Sequence, residues 1–201
     1  DREIIMISEV KIFAPASVAN VSCGFDVLGF CLDPVGDVIH VKMNEKPGVY
    51  IENIKGYDVP KNPLDNVACV AVDALLKSYS SKNGFSISIE KKIKPGSGIG
   101  SSAASSAGAV YAVNELLGRP FKREELLDFA MVGEALASGE YHADNLAPVL
   151  LGGFTLVRSI NPIDIVSLPC PPELIATIIH PKIELKTCLL YTSDAADDRV
   201  S

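Results

Sequence analysis

One segment sets the fold of this chain, Lys94-Pro95-Gly96-Ser97-Gly98-Ile99-Gly100-Ser101-Ser102-Ala103-Ala104, in which a glycine-rich turn leads directly into a helix. The three glycines can adopt backbone angles that are closed to other residues, so a polyphosphate can approach main-chain N–H groups. Ser101 and Ser102 open the apolar run from Ala103 to Leu117, which points the positive end of a helix at the anion. The segment predicts a phosphate-binding loop, and the alternative is a flexible Gly/Ser connection.

The loop follows neither of two common phosphate-binding patterns. It lacks a lysine after its last glycine, which excludes a Walker-type P-loop, and its spacing does not match G-x-G-x-x-G. The net charge of −7, without a sustained basic stripe, disfavours a nucleic-acid partner. An anionic ligand must therefore be held by groups close to the loop.

Length and composition indicate a globular protein. The 201 residues allow one large domain or two small ones, and 48% of them are hydrophobic, which is enough for a buried core. No apolar run reaches the roughly 18 residues of a membrane span, and residues 1–5 do not resemble a signal peptide. We therefore expect a cytoplasmic protein with no membrane partner.

The cysteines give no sign of a structural role. They are odd in number, scattered and free of any C-x-x-C pair, which argues against both a disulfide framework and a zinc site. We expect all five, Cys23, Cys31, Cys69, Cys170 and Cys188, to be reduced and mostly buried.

Periodicity in the sequence predicts both strands and helices. Alternating patterns indicate strands at Glu9 to Phe13, Val38 to Met43, Val49 to Ile54, Phe85 to Glu90, Phe154 to Val157 and Leu174 to Ile179. Helical spacing indicates helices at Asp65 to Ser78, Ser101 to Leu117 and Lys122 to Ser138. Because packed helices lie between blocks of strands, this order favours an α+β domain over regular βαβ alternation.

Two further segments complete a pattern with the glycine loop. The first is Ala14-Pro15-Ala16-Ser17-Val18-Ala19-Asn20 followed by Gly24-Phe25-Asp26-Val27-Leu28-Gly29, and the second combines Glu134 with His142-Ala143-Asp144-Asn145-Leu146-Ala147-Pro148. Together the three segments resemble the homoserine kinases, a branch of the GHMP small-molecule kinases. The glycine loop is shared by the whole superfamily, whereas P-A-S-x-A-N followed by G-F-D-x-L-G is typical of the homoserine branch. The resemblance covers about residues 8–187.

The resemblance implies a fold and a division into domains. Residues 1–152 would form the GHMP N-terminal domain, of the ribosomal protein S5 domain 2-like type with a left-handed βαβ crossover. Residues 153–187 would begin a second α+β domain that is cut short. Residues 188–201 depart from the family and are interpreted as an artefactual tail. The chain is therefore expected to be a truncated kinase with exposed apolar patches around Phe154 to Ile179.

The resemblance also implies how ATP and Mg²⁺ bind. The whole segment from Lys94 to Ala104 would cradle the phosphates, and Asn66 would lie near the adenine and ribose. Ser102, with Ser101 as its neighbour, and Glu134 would hold Mg²⁺ and so serve catalysis, which suits a hard cation that prefers oxygen ligands. Two points stay open: either serine can be the metal ligand, and Glu134 can instead be a solvated helix residue.

The same resemblance assigns the acceptor site to four polar residues. Asn20, Asp26 and Asn145 would bind the amino-acid substrate, since a carboxylate pairs with an ammonium group and an amide bonds a hydroxyl. A turn residue at Asp26 and an Asx turn at Asn20 are the alternatives. His142 titrates in a range suited to proton transfer, but we interpret it as an orienting hydrogen-bond partner in the substrate site.

The implied reaction is ATP-dependent phosphorylation of the L-homoserine hydroxyl to O-phospho-L-homoserine, a step toward threonine. Catalysis would rest on in-line positioning and on charge stabilisation by Mg²⁺ and the loop amides, without an evident general base. A GHMP kinase of another small alcohol, or an ATP-binding fragment without turnover, is the alternative. The resemblance also allows a homodimer, since the family is often dimeric.

Overall fold

Six strands and four helices make up the part of the chain that the structure describes, residues 8–171 and 173–179 of a computed structural model. In chain order they are β1 (Glu9–Val18), β2 (Leu28–Asn44), β3 (Gly48–Gly56), α1 (Val67–Tyr79), β4 (Gly84–Lys91), α2 (Ser101–Leu116), α3 (Leu126–Ser138), α4 (Leu146–Leu151), β5 (Phe154–Ile160) and β6 (Ile163–Leu168). The strands form one sheet, and α2 packs against it and against the other three helices.

The sheet has a mixed topology centred on β2. Its strand order is β3-β4-β2-β5-β6, and β1 pairs with the opposite edge of β2. β3 and β4 pair in parallel and are joined by α1, whereas the other four pairings between these strands are antiparallel. This arrangement confirms the predicted α+β class and supplies a βαβ unit, whose left-handed sense stays a prediction.

Strand β2 connects distant parts of the sheet, because its 17 residues pair with three different strands. Its first residues pair with β5 and its last residues with β4, while β1 runs along its other edge. Asp37, Ile39 and Val41 are buried in its second half, as the period of two in a strand requires for side chains on the covered face. The charged residue Asp37 therefore lies on the same buried face of β2 as the apolar residues Ile39 and Val41.

Small residues let helix α2 lie directly on the sheet. Ala103, Ala104 and Ala107 are fully buried. A Cβ atom at Gly108 would lie 2.8 Å from the Cβ atom of Ala14, which is closer than side chains pack. This close contact fixes the start of α2, and with it the glycine loop that precedes α2, relative to the strands.

Most elements lie where the sequence predicts them, with ends that differ by a few residues. The predicted helix from Lys122 to Ser138 begins only at Leu126, because the residues before it form a turn. The sequence patterns do not predict α4 or β6. Helix α4 has six residues and contains Pro148, so its helical periodicity is too short to recognise.

The predicted strand from Leu174 to Ile179 is wrong for the described structure. The segment has no regular secondary structure, and Ile175 and Ile179 are each 87% exposed. A high β propensity does not make a strand without a partner, and none of the described strands pairs with this segment. The expectation of exposed apolar surface is confirmed for these residues.

The cysteines differ from their predicted burial. The four in the described part of the chain are free thiols, as expected, but only Cys69 is buried. Cys31 is half-buried, and Cys23 and Cys170 are exposed, so the expectation of mostly buried cysteines is wrong. Cys23 lies on the connection between β1 and β2, and Cys170 follows β6, so both lie outside the regular elements.

The predicted domain division at residues 152 and 153 stays a prediction. Strand β5, which begins just after it, pairs with β2 in the same sheet. Residues 180–201, which include the end of the predicted second domain and the predicted tail, lie outside the described residues. Within the described ranges, none of the helices is long and apolar enough to cross a membrane.

Candidate active site

A cavity of about 590 Å³ opens beside the glycine loop, and we call it the loop cavity. Its walls come from the loop, the first turns of α1 and α2, the last turns of α3 and the connection that follows β1. The residues of the predicted site that line it are Asn20, Asn66, Pro95, Gly96, Ser97, Gly98, Gly100, Ser101, Ser102, Glu134 and Asn145. The fold therefore brings together three segments that are far apart in the sequence.

The other residues predicted for the site do not line the loop cavity. Ala103 and Ala104 are buried in the core, and Lys94 is exposed. The carbonyl oxygen of Ile99 accepts a hydrogen bond from the backbone N–H of Ser17, which ties the loop to β1. Asp26 and His142 are the remaining two. Their side chains lie 3.9 Å apart, and the backbone N–H of Asp26 donates to Asn20 Oδ1.

A second cavity, of about 350 Å³, lies between β1, α2 and α4. Apart from Tyr111 and Arg123, its lining is apolar. Arg123 lies over the ring of Tyr111 and donates to its hydroxyl oxygen at 3.1 Å. Because the loop cavity instead holds buried polar atoms without partners, we take the loop cavity as the candidate active site.

The glycine loop has the backbone geometry that the sequence predicts. Gly96, Gly98 and Gly100 have φ angles of 71°, 75° and 67°, in the left-handed region that favours glycine. Gly100 is the N-cap of α2 and offers no side chain to the helix. The N–H groups at the start of α2 therefore lack a side-chain cap, and they adjoin the cavity where an anion can bind them.

Ser102 and Glu134 form a pair on the cavity wall. The Ser102 hydroxyl donates to Glu134 Oε1 at 2.8 Å, while Glu134 Oε2 is buried and has no hydrogen-bond partner. Burial raises the pKa of Glu134, and the Ser102 hydrogen bond opposes this shift. Ser101 is oriented differently, because its hydroxyl donates to the Ile93 carbonyl oxygen at 3.1 Å. This geometry favours Ser102 over Ser101 as a candidate ligand for a metal ion.

The donor set in this wall fits Mg²⁺. The described residues contain no cluster of three or more His, Cys, Asp and Glu side chains that could hold a metal by themselves. Mg²⁺ is commonly bound by one or two carboxylates together with water and substrate phosphates, so a full protein cage is not required. The unpartnered Glu134 Oε2 beside the Ser102 hydroxyl offers the two protein oxygens that such a site needs.

Lys91 lines the same cavity, and sequence reasoning missed it. It lies at the end of β4, is 1% exposed and pairs with the buried Asp37 of β2. Desolvation lowers the pKa of Lys91, while Asp37 and, more weakly, Glu134 oppose the shift. No local sequence pattern distinguishes the buried Lys91 from the adjacent Lys92, which is exposed.

Asn66 lines the cavity but uses its side chain within the protein. Its Oδ1 caps α1 by accepting from the backbone N–H groups of Ala68 and Cys69, and its Nδ2 donates to the Pro60 carbonyl oxygen at 2.6 Å. Asn66 therefore fixes the cavity wall around Pro60 to the start of α1.

The connection between β1 and β2, residues 19–27, is called here the acceptor loop. Asn20, Ser22 and Asp26 have positive φ angles between 54° and 61°, which is uncommon for residues other than glycine. Asn20 Oδ1 accepts the backbone N–H of Asp26 at 2.8 Å and so closes the loop on itself. This contact spans six residues, which is longer than an Asx turn.

His142 and Asn145 are the other two residues predicted for the acceptor site. His142 lies between two carboxylates, with Nδ1 3.9 Å from Asp26 Oδ1 and Nε2 3.5 Å from Glu140 Oε2. Asn145 Oδ1 accepts the Ser17 hydroxyl at 2.8 Å, which leaves its Nδ2 group to donate. The neighbouring Asp144 is buried, and its burial raises its pKa.

Comparison with known proteins identifies the class to which this fold and site belong. Residues 66–153 match the family described as GHMP kinases N terminal domain. The glycine loop and the Ser102–Glu134 pair lie in the matched region, together with α1 and β4 of the βαβ unit. Residues 66–153 of this chain are therefore a GHMP kinase N-terminal domain.

Within that class, the chain is similar to homoserine kinases. It is 44% identical over 191 residues to the homoserine kinase of Chloroherpeton thalassium, covering 89% of this chain and 60% of that protein. The crystal structure of homoserine kinase from Cytophaga hutchinsonii matches with a TM-score of 0.87 and 48% identity over 93% of this chain and 60% of the other. Methanococcus jannaschii mevalonate kinase, with a TM-score of 0.62 and 19% identity, shares the fold. The chain spans about 60% of the length of these homoserine kinases.

Proposed function

We propose that this chain is the ATP-binding part of a homoserine kinase, which transfers the γ-phosphoryl group of ATP to the L-homoserine hydroxyl and makes O-phospho-L-homoserine for threonine biosynthesis. The observation that carries the proposal is the loop cavity, where three left-handed glycines and the uncapped first turn of α2 meet the Ser102–Glu134 pair. The identities of 44% and 48% to proteins named homoserine kinase support the choice of substrate.

The phosphate end of ATP would be held mainly by backbone. N–H groups of the glycine loop and of the first turn of α2 would bind the phosphate oxygens, where the helix dipole adds a favourable positive field. The Ser97 hydroxyl oxygen is buried in the loop without a partner, and it is suited to meet the same ligand. The adenine and ribose would lie toward α1, against the wall that Asn66 holds in place through Pro60.

Ser102 and Glu134 would hold Mg²⁺ against the phosphates. When bound, the ion supplies charge neutralisation at the β- and γ-phosphate oxygens. Glu134 suits this role because its Oε2 atom is buried beside the loop and has no hydrogen-bond partner. A buried carboxylate with a raised pKa regains its charge most easily when a cation lies next to it.

The acceptor side would orient the amino acid. Asp26 would pair with the ammonium group of homoserine, and His142 would steady Asp26 from the other side. Asn20 and Asn145 each use their Oδ1 atom inside the protein, so each would have its Nδ2 group to donate to the hydroxyl or phosphoryl oxygens. With the hydroxyl placed in line, phosphoryl transfer proceeds by positioning and charge stabilisation, without a dedicated base.

An acceptor panel tests this function. The chain is incubated with Mg-ATP and L-homoserine, mevalonate or galactose, and product formation is followed by phosphorus NMR. Preference for homoserine is the expected result, and a matched Glu134→Gln protein provides the background. Preference for another alcohol refutes the substrate, and Mg-ATP binding by calorimetry without transfer indicates a nucleotide-binding module. A homodimer, a cytoplasmic location and the lack of a nucleic-acid partner stay predictions from the sequence.

A further inference from the structure

A buried ion pair lies beneath the glycine loop. Lys91 at the end of β4 and Asp37 in the middle of β2 have side chains that are 1% and 0% exposed, and Lys91 Nζ contacts Asp37 Oδ2 at 2.5 Å. Burying two charges costs free energy, and only good geometry and further hydrogen bonds compensate for that cost. The roles assigned so far to the loop cavity leave this pair without a function.

The ammonium group of Lys91 has no donor left for a ligand. Its three N–H groups are matched by three acceptors, namely the Asp37 carboxylate, the Ser101 carbonyl oxygen at 2.6 Å and Ser105 Oγ at 2.8 Å. Although Lys91 lines the loop cavity, a phosphate oxygen would have to displace one of these buried partners. Lys91 therefore differs from a lysine that binds phosphate directly.

The pair holds both ends of the glycine loop. At the entry, Asp37 Oδ1 accepts the backbone N–H groups of Lys92 and Ile93 at 2.7 and 2.9 Å. At the exit, Lys91 binds the carbonyl oxygen of Ser101 in the first turn of α2. The Ser101 hydroxyl then joins the two ends through the Ile93 carbonyl oxygen. The loop therefore projects from a base whose ends are fixed to each other.

We infer that Asp37 and Lys91 are positioning residues, which hold the ends of the glycine loop at the separation where its amides bind a polyphosphate, without touching that ligand. The inference rests on the proposed function for the identity of the ligand. The hydrogen bonds that support it are independent of that function. A displacement of about 1 Å in such a site costs on the order of 10²-fold in turnover.

A double substitution separates positioning from stability. Asp37→Leu with Lys91→Met replaces the pair by apolar side chains of similar size, which avoids leaving one buried charge without its partner. The matched control is Asp73→Leu with Lys77→Met, which removes an exposed i,i+4 pair on α1 and leaves the net charge equally unchanged. Thermal unfolding establishes that each variant folds. Asp37→Asn, which keeps the shape and one acceptor oxygen, is the second variant should the first not fold.

Amide hydrogen exchange without ligand gives the first result. We expect residues 94–101 to exchange about tenfold faster in the Asp37/Lys91 variant than in the wild type. Asp37→Asn is expected to change the exchange in the same direction, and the α1 control is expected to match the wild type. Wild-type exchange in a folded Asp37/Lys91 or Asp37→Asn protein overturns the inference.

Nucleotide binding gives the second result. Mg-ATP affinity is expected to fall about tenfold in the Asp37/Lys91 variant. Turnover of homoserine per folded protein is expected to fall on the order of 10²-fold with KM for homoserine unchanged. A loss of stability would instead lower the folded fraction, which the thermal unfolding experiment measures. Unchanged affinity and turnover in a folded variant contradict the inference. If the wild-type chain binds no ATP, the proposed function fails, and the exchange experiment still decides whether the pair holds the loop.

Discussion

The two sides of the loop cavity are built from different parts of the chain. On the proposed phosphate side, the binding groups would be backbone N–H groups of the glycine loop and the side chains of Ser102 and Glu134, and the Asp37–Lys91 pair anchors the ends of that loop. On the proposed acceptor side, the binding groups would be side chains on loops, and the Asp26 side chain is 39% exposed. Binding by backbone N–H groups does not depend directly on which side chains are present. Binding on the acceptor side would depend on which residues occupy a few positions.

This difference predicts which changes affect which ligand. On the phosphate side, we expect substitutions to act through the metal ligand or through backbone geometry. On the acceptor side, we expect them to act on one substrate and to leave nucleotide binding alone. Substitutions at Glu134, Asp26 and Gly98 test this division, and a single change that impairs both ligands equally would break it.

The largest effect is expected from Glu134→Gln on the phosphate side. Without the anionic oxygen, the site loses its metal ligand, and turnover is expected to fall on the order of 10²–10³-fold. Steady-state kinetics with saturating homoserine measures this loss. Glu124→Gln, at an exposed position just before α3, is the control and should keep wild-type turnover.

Glu134→Gln is also expected to be more stable than the wild type at high pH. Burial raises the pKa of Glu134 above 4.5, so the folded protein binds this proton more tightly than the unfolded chain does. The stabilisation from this proton is present below about pH 4.5 and is lost as the pH rises through the folded pKa. Glu134→Gln should therefore unfold at a higher temperature than the wild type at about pH 8, with a smaller difference toward acid. Equal melting temperatures at both pH values contradict this expectation.

A smaller and more selective effect is expected from Asp26→Asn on the acceptor side. The substitution removes the charge that pairs with the substrate ammonium, so KM for homoserine should rise about tenfold or more, while KM for ATP stays the same. Initial-rate measurements at varied concentrations of each substrate separate the two constants. Asp128→Asn on α3 is the matched control. An equal rise in both KM values would show that the two sides are not independent.

Gly98→Ala tests the backbone on the phosphate side, with Gly139→Ala as its control. The two glycines have φ angles of 75° and 84°, and a Cβ at either would meet no atom within 4 Å. Both substitutions should therefore cost a similar free energy of unfolding, about 1–2 kcal/mol. Only Gly98 lines the loop cavity, so only Gly98→Ala should weaken Mg-ATP binding, by about tenfold. Equal ATP affinities, measured by calorimetry, would exclude close approach of a ligand at Gly98.

The smallest effect is expected at Asn66. Asn66→Ala removes the cap of α1 and should lower the free energy of unfolding by about 1 kcal/mol. Asn66→Asp keeps the acceptor for Ala68 and Cys69 but loses the donor to Pro60, so it should retain most of the stability. Urea denaturation measures both. Equal losses in the two variants would assign the contribution to the Pro60 contact instead of the cap.

The sequence predicts those parts of the site that depend on local chemistry. The spacing of the glycines predicts the loop. The spacing of apolar residues predicts α2 and α3, and it places Glu134 on α3. The Asp37–Lys91 pair could not be predicted this way, because its members are 54 residues apart and charged residues are normally exposed. The strand predicted at Leu174 to Ile179 fails for the opposite reason: its composition favours a strand, but pairing requires a neighbour that composition does not specify.

The register of β1 against β2 has a consequence for protein engineering. Ser17 pairs with Cys31 and Val18 with Phe30 at the base of the acceptor loop, so the sheet clamps both ends of residues 19–27. Because the segment is anchored at both ends, its residues can be substituted while the flanking strands stay in register. A combinatorial library at residues 21–27, which keeps the cavity-lining Ala19 and Asn20, would test whether the choice of alcohol varies while nucleotide binding stays unchanged.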